Sequence, residues 1–283
     1  MNRENHAAII LAGGLGGRFL PASKSINKCM MPILNKPVIQ YIVEDCIGAG
    51  IEHIVIITPE GDNQIKNHFM VDEQLYARFK DIGKANLYEE RVKPLVSISD
   101  KLHFVEQKAN MQYGTATPIK LGIESLPDYI TNIFAMNGDQ IVSPGKPDII
   151  GSVAEALDQA DGAPAIIGVK VDISARSRYG VPIEKPGQPG ILDQIVEKPN
   201  DDYSPTSLTI NLGWYSLPRS IVNYIDKTDI NQTDNELFIT DSINMMAKDT
   251  EVKVLSLNGE FLDCGTPEKW LHTNNVVAKL TGL

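Results

Sequence analysis

The chain is poor in the features that mark a secreted, membrane-embedded or nucleic-acid-binding protein. Only three cysteines occur among 283 residues, Cys29, Cys46 and Cys264; they are odd in number and form no C-x-x-C pair, which fits a reducing, cytoplasmic setting. No apolar run approaches the ~20 residues of a membrane span, so a bilayer is not an expected partner. Lysine and arginine number 26 against 36 acidic residues, a formal charge of −10, and they are scattered, which argues against nucleic acid. The five histidines are isolated in sequence and there is no G-x-S-x-G elbow, so neither a zinc site nor a serine hydrolase has support. Arg3 and Glu4 cancel in charge, and Ala7 to Leu11 is short for a secretion leader, so the amino-terminal stretch reads as a first strand.

What is present is glycine in one place. The run Leu11-Ala12-Gly13-Gly14-Leu15-Gly16-Gly17-Arg18-Phe19-Leu20-Pro21 follows the apolar stretch Ala7 to Leu11 directly. Backbone N–H groups with almost no side chains can close on an anion, while Arg18 adds charge and bidentate donors. A dinucleotide fingerprint counted from Gly14 would need glycine where Phe19 stands, and Pro21, Pro32 and Pro37 prevent a helix from opening here. A Walker loop needs Gly-Lys-Ser/Thr after four spacers, which is absent. A tight turn after an opening strand remains the plain alternative on local composition.

The hydrophobic fraction of 42% and charged fraction of 22% are those of an ordinary globular chain, and the length suits a single domain over 1–283. Residues 37–49 carry an apolar helical stripe between Pro37 and Gly50, and a strand follows at His53 to Thr58. Further apolar runs at Ile133 to Met136, Ala165 to Val171 and Ile191 to Val196 predict an α/β fold. Its central sheet is mixed but mostly parallel and is flanked by helices. The charged stretch 60–101 reads as a helical insertion, Lys185 to Gly190 as a hairpin turn, and Pro267 to Leu280 as a closing helix.

Four short patterns carry candidate chemistry, each with a bland counterpart. Asn137-Gly138-Asp139 ends a strand and puts a carboxylate at the carboxyl edge where α/β sheets bind ligands, although Asn-Gly is equally a hairpin signal. Asp263-Cys264-Gly265 follows the strand-like Val252 to Leu257; Asp263 could merely cap a turn. Two carboxylates brought together from such distant segments could hold one Mg²⁺. In Glu197-Lys198-Pro199, a lysine held extended before proline could aim its ammonium, and Glu197 could accept sugar hydroxyls, or the group could be a solvated strand end. Arg178-Tyr179-Gly180-Val181 offers a glycine where a sugar ring could approach the backbone, or a plain turn.

Taken in order, these segments resemble the sugar nucleotidyltransferases, most closely the bacterial UTP-glucose-1-phosphate uridylyltransferases. The resemblance is carried by AGGLGGRFLPASKSINKCMMPILNKPVIQYIVED, ITPEGDNQIKNHF, VEQKANMQYGTA, SRYGV, IVEKP, ELFITDSI and DCG. It implies a Rossmann-like nucleotidyltransferase fold and magnesium-dependent transfer of UMP from UTP to glucose 1-phosphate, with release of pyrophosphate. It also implies a homodimer or homotetramer. By likeness, Ala12, Gly13, Gly14, Gly16 and Arg18 hold the nucleotide's phosphates and Lys28 reaches them from the same loop. Gln107 and Gly114 meet the base, and Asp139 and Asp263 bind Mg²⁺. Gly180, Glu197 and Asn211 take the sugar, and Lys198 the sugar phosphate. In-line attack of one phosphate on another needs alignment and charge neutralisation and no nucleophilic side chain, which agrees with the absence of any Ser/His/Asp or Cys/His arrangement.

The sequence departs from the family pattern at three places. Gly17 stands where a threonine usually precedes the loop arginine, Cys29 follows the loop lysine where an acid is common, and Gly138-Asp139 is closer to the thymidylyl relatives. Alternatives are therefore a thymidylyltransferase, transfer to another hexose 1-phosphate, or a silent sugar-nucleotide-binding regulatory protein. Lys36 to Tyr41 and the excursion at 60–101 favour UTP.

Overall fold

A computed structural model of the chain describes residues 3–145, 148–171, 178–199 and 209–283. It opens with strand β1 (His6–Leu11), runs through a long loop broken by three single 3₁₀ turns, and makes the small ribbon β2 (Pro32–Ile33) and β3 (Lys36–Pro37). Helix α1 (Val38–Gly48) then leads into β4 (His53–Pro59). Pro37 sits just before the helix in an extended conformation, and Gly50, at φ +81°, takes the left-handed turn that follows it. Four short helices, α2 (Gln64–Phe69), α3 (Glu73–Asp81), α4 (Ala85–Arg91) and α5 (Lys93–Val96), lie between β4 and β5 (Leu102–Gln107).

Helix α6 (Ala116–Ser125) precedes β6 (Asn132–Asn137), which turns at once into β7 (Gln140–Ser143). Then come α7 (Ser152–Ala160), β8 (Ala165–Lys170), the antiparallel ribbon β9 (Val181–Glu184) and β10 (Leu192–Val196), and the ten-residue β11 (Thr209–Pro218). Helices α8 (Val222–Ile225) and α9 (Ile239–Asp249), strands β12 (Lys253–Leu257) and β13 (Glu260–Asp263), and α10 (Pro267–Thr281) complete the chain. No helix among the described residues is long and apolar enough to cross a membrane.

Seven strands form the central sheet in the order β12-β8-β11-β6-β1-β4-β5. Every pair is parallel except the two that involve β11, so six strands point the same way. Side chains alternate across it as pleating requires. Ala8 and Ile10 of β1 pack with α1, α7 and α10, while Ala7 and Ile9 pack with α6 and α9. Gly122 lets α6 lie close on that second face: a Cβ there would stand 2.7 Å from Ile9 Cδ1. Because six strands end on one edge, the loops after β1, β4, β5 and β6 converge there, the place where such sheets bind ligands.

Candidate active site

The loop after β1 is shaped by side chains that replace missing secondary structure. Gly16 takes φ +63°, a conformation that costs glycine little. Asn27 holds the far end of the loop. Its Nδ2 donates to Ala12 O (3.1 Å) and Asp62 Oδ2 (2.6 Å), its own N–H donates to Gln64 Oε1 (3.1 Å), and its Oδ1 accepts from Cys29 N (2.9 Å). Lys28 is thereby turned back over the glycines. A Cβ on Gly14 would stand 3.0 Å from Lys28 Cε and 3.2 Å from its Nζ, so glycine is what lets the ammonium come so near the loop backbone.

Lys28 Nζ donates to Asp139 Oδ2 at 2.7 Å. Burial alone would depress the lysine's pKa, but the charge and hydrogen bond of Asp139, together with Cys29 and Tyr113, outweigh it and hold the ammonium above its ordinary value. Asp139 lies in the β6–β7 turn, and β7 pairs antiparallel with β13 in the register Gln140 to Asp263. Cys264 N also donates to Asp139 O at 2.9 Å, so the two carboxylates arrive side by side. Gly265 then leaves room between them: a Cβ there would be 2.9 Å from Asp263 Oδ1, 3.5 Å from Asp139 Oδ2 and 3.9 Å from Arg18 Nη1. The other oxygen of Asp263 accepts from Tyr179 OH (3.2 Å) and from Lys269 Nζ, and Lys269 also donates to Tyr179 OH at 2.6 Å. Cys29, Cys46 and Cys264 are buried free thiols, and burial pushes Cys264 up to about 12.

These groups open into a cleft of about 840 Å³. Of the residues singled out in the sequence, Gly13, Gly14, Arg18, Lys28, Gln107, Gly114, Asp139, Lys198 and Asp263 line it. Gly114, at φ +132°, abuts the backbone of Leu237. Leu237 N donates to Tyr113 O (2.8 Å) and Ala116 N donates to Leu237 O (3.0 Å), so the segment before α9 clasps the loop after β5.

Five other residues singled out do not line the cleft. Ala12 is fully buried and its N–H is spent on Ile57 O at 2.9 Å. Gly16 backs onto Ser23. Gly180 packs on Glu197, whose Oε1 would stand 3.0 Å from a Cβ there. Asn211 turns inward: its Nδ2 donates to Tyr215 OH (2.8 Å) and its Oδ1 accepts from Gly213 N (2.9 Å). The backbone of Lys198 also differs from the extended form expected before proline, because its φ is +40°. Its N–H donates to Tyr179 O at 3.1 Å, and that contact fixes a strained conformation of the kind concentrated at functional sites.

Sequence reasoning missed Tyr179 as a partner of Asp263, and it missed Tyr113, Glu236 and Lys269 in the cleft wall. Thr266-Pro267 was a legible helix start, with Thr266 Oγ1 accepting from Lys269 N at 3.3 Å, and it places Lys269 in the first turn facing Asp263.

The carboxylate pair suits a hard divalent cation. Mg²⁺ takes oxygen ligands, commonly one or two carboxylates together with substrate phosphates, and two carboxylate oxygens here face one open point. Among the described residues no group of three or more His, Cys, Asp or Glu side chains could hold a metal by itself, so water and substrate oxygens would complete the shell.

Known proteins share this architecture. A relative from Staphylococcus haemolyticus named UTP--glucose-1-phosphate uridylyltransferase is 36% identical over 265 residues, covering 91% of this chain and 87% of its own. One from Staphylococcus saprophyticus named UTP--glucose-1-phosphate uridylyltransferase 2 is 34% identical over 268 residues, covering 93% and 88%. The solved structure of a UTP-bound UGPase from Acinetobacter baumannii superposes with a TM-score of 0.83 at 23% identity, over 98% of this chain and 96% of that one, and so shares its fold. The family model described as nucleotidyl transferase matches residues 7–279, nearly the whole length, and the chain belongs to that family.

Proposed function

We propose that this protein transfers UMP from UTP to glucose 1-phosphate, giving UDP-glucose and pyrophosphate. The observation that carries the reading is the meeting of Asp139 and Asp263 at one open point, with Arg18, Lys28 and Lys198 lining the same cleft. Relatives named for that reaction, similar over nine-tenths of the chain, support it.

In the reaction an oxygen of the sugar phosphate forms a bond to the α-phosphorus of UTP. The bond from that phosphorus to the bridging oxygen breaks, and pyrophosphate leaves with the electron pair. No side chain becomes covalently attached and no proton transfer is required of the protein. Its task is to bring two polyanions together in line and offset their charge. Arg18 and the N–H groups of the glycine loop face the triphosphate, and Lys28 can exchange Asp139 for a phosphate oxygen. Lys198, fixed by Tyr179 O, presents its ammonium to the sugar phosphate. Gln107 and Gly114, held by the clasp at Leu237, border the base. Asp139 and Asp263 would hold a magnesium ion, which supplies neutralisation of phosphate charge when bound. A cytoplasmic setting, where three buried thiols stay reduced, belongs to the same reading.

Pyrophosphate release is the test, measured with Mg²⁺, glucose 1-phosphate and, separately, UTP, dTTP, ATP, CTP and GTP. Release that requires the sugar phosphate and is fastest with UTP is the expected result. Preference for dTTP would replace the nucleotide in this reading, and binding of UTP without release would make the protein a silent sugar-nucleotide-binding module.

A further inference from the structure

The two carboxylates at the centre of the cleft are each met by a lysine, but only one of those lysines has a task in the transfer. Lys28 belongs to the phosphate loop. Lys269 comes from the opposite wall, in the first turn of α10, where a cation faces the positive end of the helix macrodipole. Helix stability therefore gives no reason for a lysine at this position. What the side chain does is plain from its contacts: its ammonium touches Asp263 Oδ2, donates to Tyr179 OH at 2.6 Å, and lies 4.9 Å from the centre of the Tyr179 ring.

Charges around the open point at Gly265 decide what can enter. Asp139 and Asp263 contribute two negative charges; Lys28 and Lys269, each in direct contact with one of them, contribute two positive ones, and Arg18 Nη1 stands 3.9 Å from the Cβ position at Gly265. A divalent cation arriving alone meets carboxylates that are each already paired with an ammonium. Repulsion between an ammonium and a divalent ion a few ångströms apart outweighs the return from one added carboxylate hydrogen bond even at an effective dielectric constant of about 20. A nucleoside triphosphate reverses this balance with its own negative charge.

We propose that Lys269 is a resident counter-ion of Asp263 that offsets the carboxylate's charge from Oδ2, the oxygen not turned to Asp139, and makes divalent-cation binding depend on the nucleotide. This rests on the reading of Asp139 and Asp263 as cation-binding carboxylates in a nucleotidyl transfer site. Lys269 acts through Asp263, so it is a positioning residue. Tyr179 completes the device by keeping the ammonium on Oδ2 while Gly265 N holds Oδ1 at 2.8 Å, facing Asp139.

Mn²⁺ binding, read by electron paramagnetic resonance on the whole protein without substrates, tests this directly. Lys269→Met and Lys269→Gln should bind free Mn²⁺ at least ~10-fold more tightly than the unaltered protein, and Lys269→Arg, which keeps the charge, should match it. Saturating UTP without sugar phosphate should narrow the gap. Glutamine keeps a donor for Asp263, so the measurement does not depend on the methionine variant folding. Unchanged or weaker Mn²⁺ binding in both charge-removed variants would overturn the proposal. Pyrophosphate release by the unaltered protein is measured in parallel: its absence alongside the tighter Mn²⁺ binding would overturn the reaction assigned above and leave the role of Lys269 standing.

Discussion

The cleft has two walls that are held in different ways. The wall on β1, β4, β5 and β6 is made of backbone: glycines at Gly13 and Gly14, a loop tied down by Asn27, and Lys28 folded over Gly14. The wall on β9 to β11, β13 and α10 is made of side chains from distant segments: Lys198, Tyr179, Asp263 and Lys269 meet through hydrogen bonds to one another and to Tyr179 O. Consecutive parallel strands can bring a phosphate loop to one edge using local sequence alone. The second wall exists only once a reversed strand, a two-stranded ribbon and the last helix have docked. One wall should thus tolerate side-chain change poorly where a cation leans on it, and the other wherever a link in its chain is cut.

The largest effect should come from the ion pair of Lys28 with Asp139 in the first wall. Replacing Lys28 with alanine removes a phosphate cation and leaves the buried Asp139 unpaired. We expect catalytic efficiency to fall by about 10²- to 10³-fold, with circular dichroism unchanged. A loss under tenfold would mean that the first wall does not depend on this lysine.

A control away from the cleft separates charge in the fold from charge in the site. Asp45 of α1 is 3% exposed and its carboxylate accepts backbone N–H bonds at the start of α7, including Val153 N at 3.4 Å. Burial pushes its pKa up to about 6, against the opposing pull of those N–H groups at Gly151, Val153 and Ser152. A folded-state pKa above the unfolded value of 3.8 means that the native state holds the proton longer. Asp45 therefore contributes stability that is fully present below pH 3.8 and lost as the pH rises through about 6, about 3 kcal/mol in all. Asp45→Asn should flatten that part of the profile in urea unfolding between pH 4 and 7, leaving KM for both substrates unchanged. An identical slope in the variant would show that another group carries it.

The second wall is probed by Lys198→Ala, which removes a charge-assisted contact of about 1.5 to 3 kcal/mol, roughly a 10- to 150-fold effect on efficiency. The loss should appear in KM for glucose 1-phosphate and spare KM for UTP, because Lys198 is tied to Tyr179 in the second wall. Equal losses for both substrates would erase the distinction between the walls.

The same division governs how much of the molecule could be seen in its sequence. The glycine loop, α1, β4, β6 and the closing helix announce themselves through short-range patterns: apolar periodicity, Pro37 at a start, Gly50 at a stop. Asp139 and Asp263 were legible as carboxylates at strand ends, and the β7–β13 register that joins them was not. Strand β11 hid for a related reason: Gly213, at φ +74°, and a register shift between Asn211 and Trp214 interrupt its alternation, and its direction is set by neighbours far away in the chain. Lys198 was read from the usual preference of a residue before proline, which its bond to Tyr179 O overrides. Asn211 was placed near the sugar by likeness, whereas the shift in β11 spends its amide on Tyr215 and Gly213.

The smallest predicted effect sharpens the comparison on the first wall, where a hydroxyl common in the family is missing. Gly17 begins the 3₁₀ turn that carries Arg18; its φ lies outside the left-handed region and nothing stands within 4 Å of a Cβ built there. Neither strain nor space therefore requires glycine at this position. A threonine there costs the unfolded chain conformational freedom that glycine retains and adds one donor beside the triphosphate. A neutral hydrogen bond contributes about 0.5 to 1.5 kcal/mol, so Gly17→Thr should lower KM for UTP by roughly 2- to 13-fold and leave KM for glucose 1-phosphate where it is. If KM for UTP rises instead, the turn at Gly17 moves during binding, and the backbone of the first wall uses glycine there for conformational freedom.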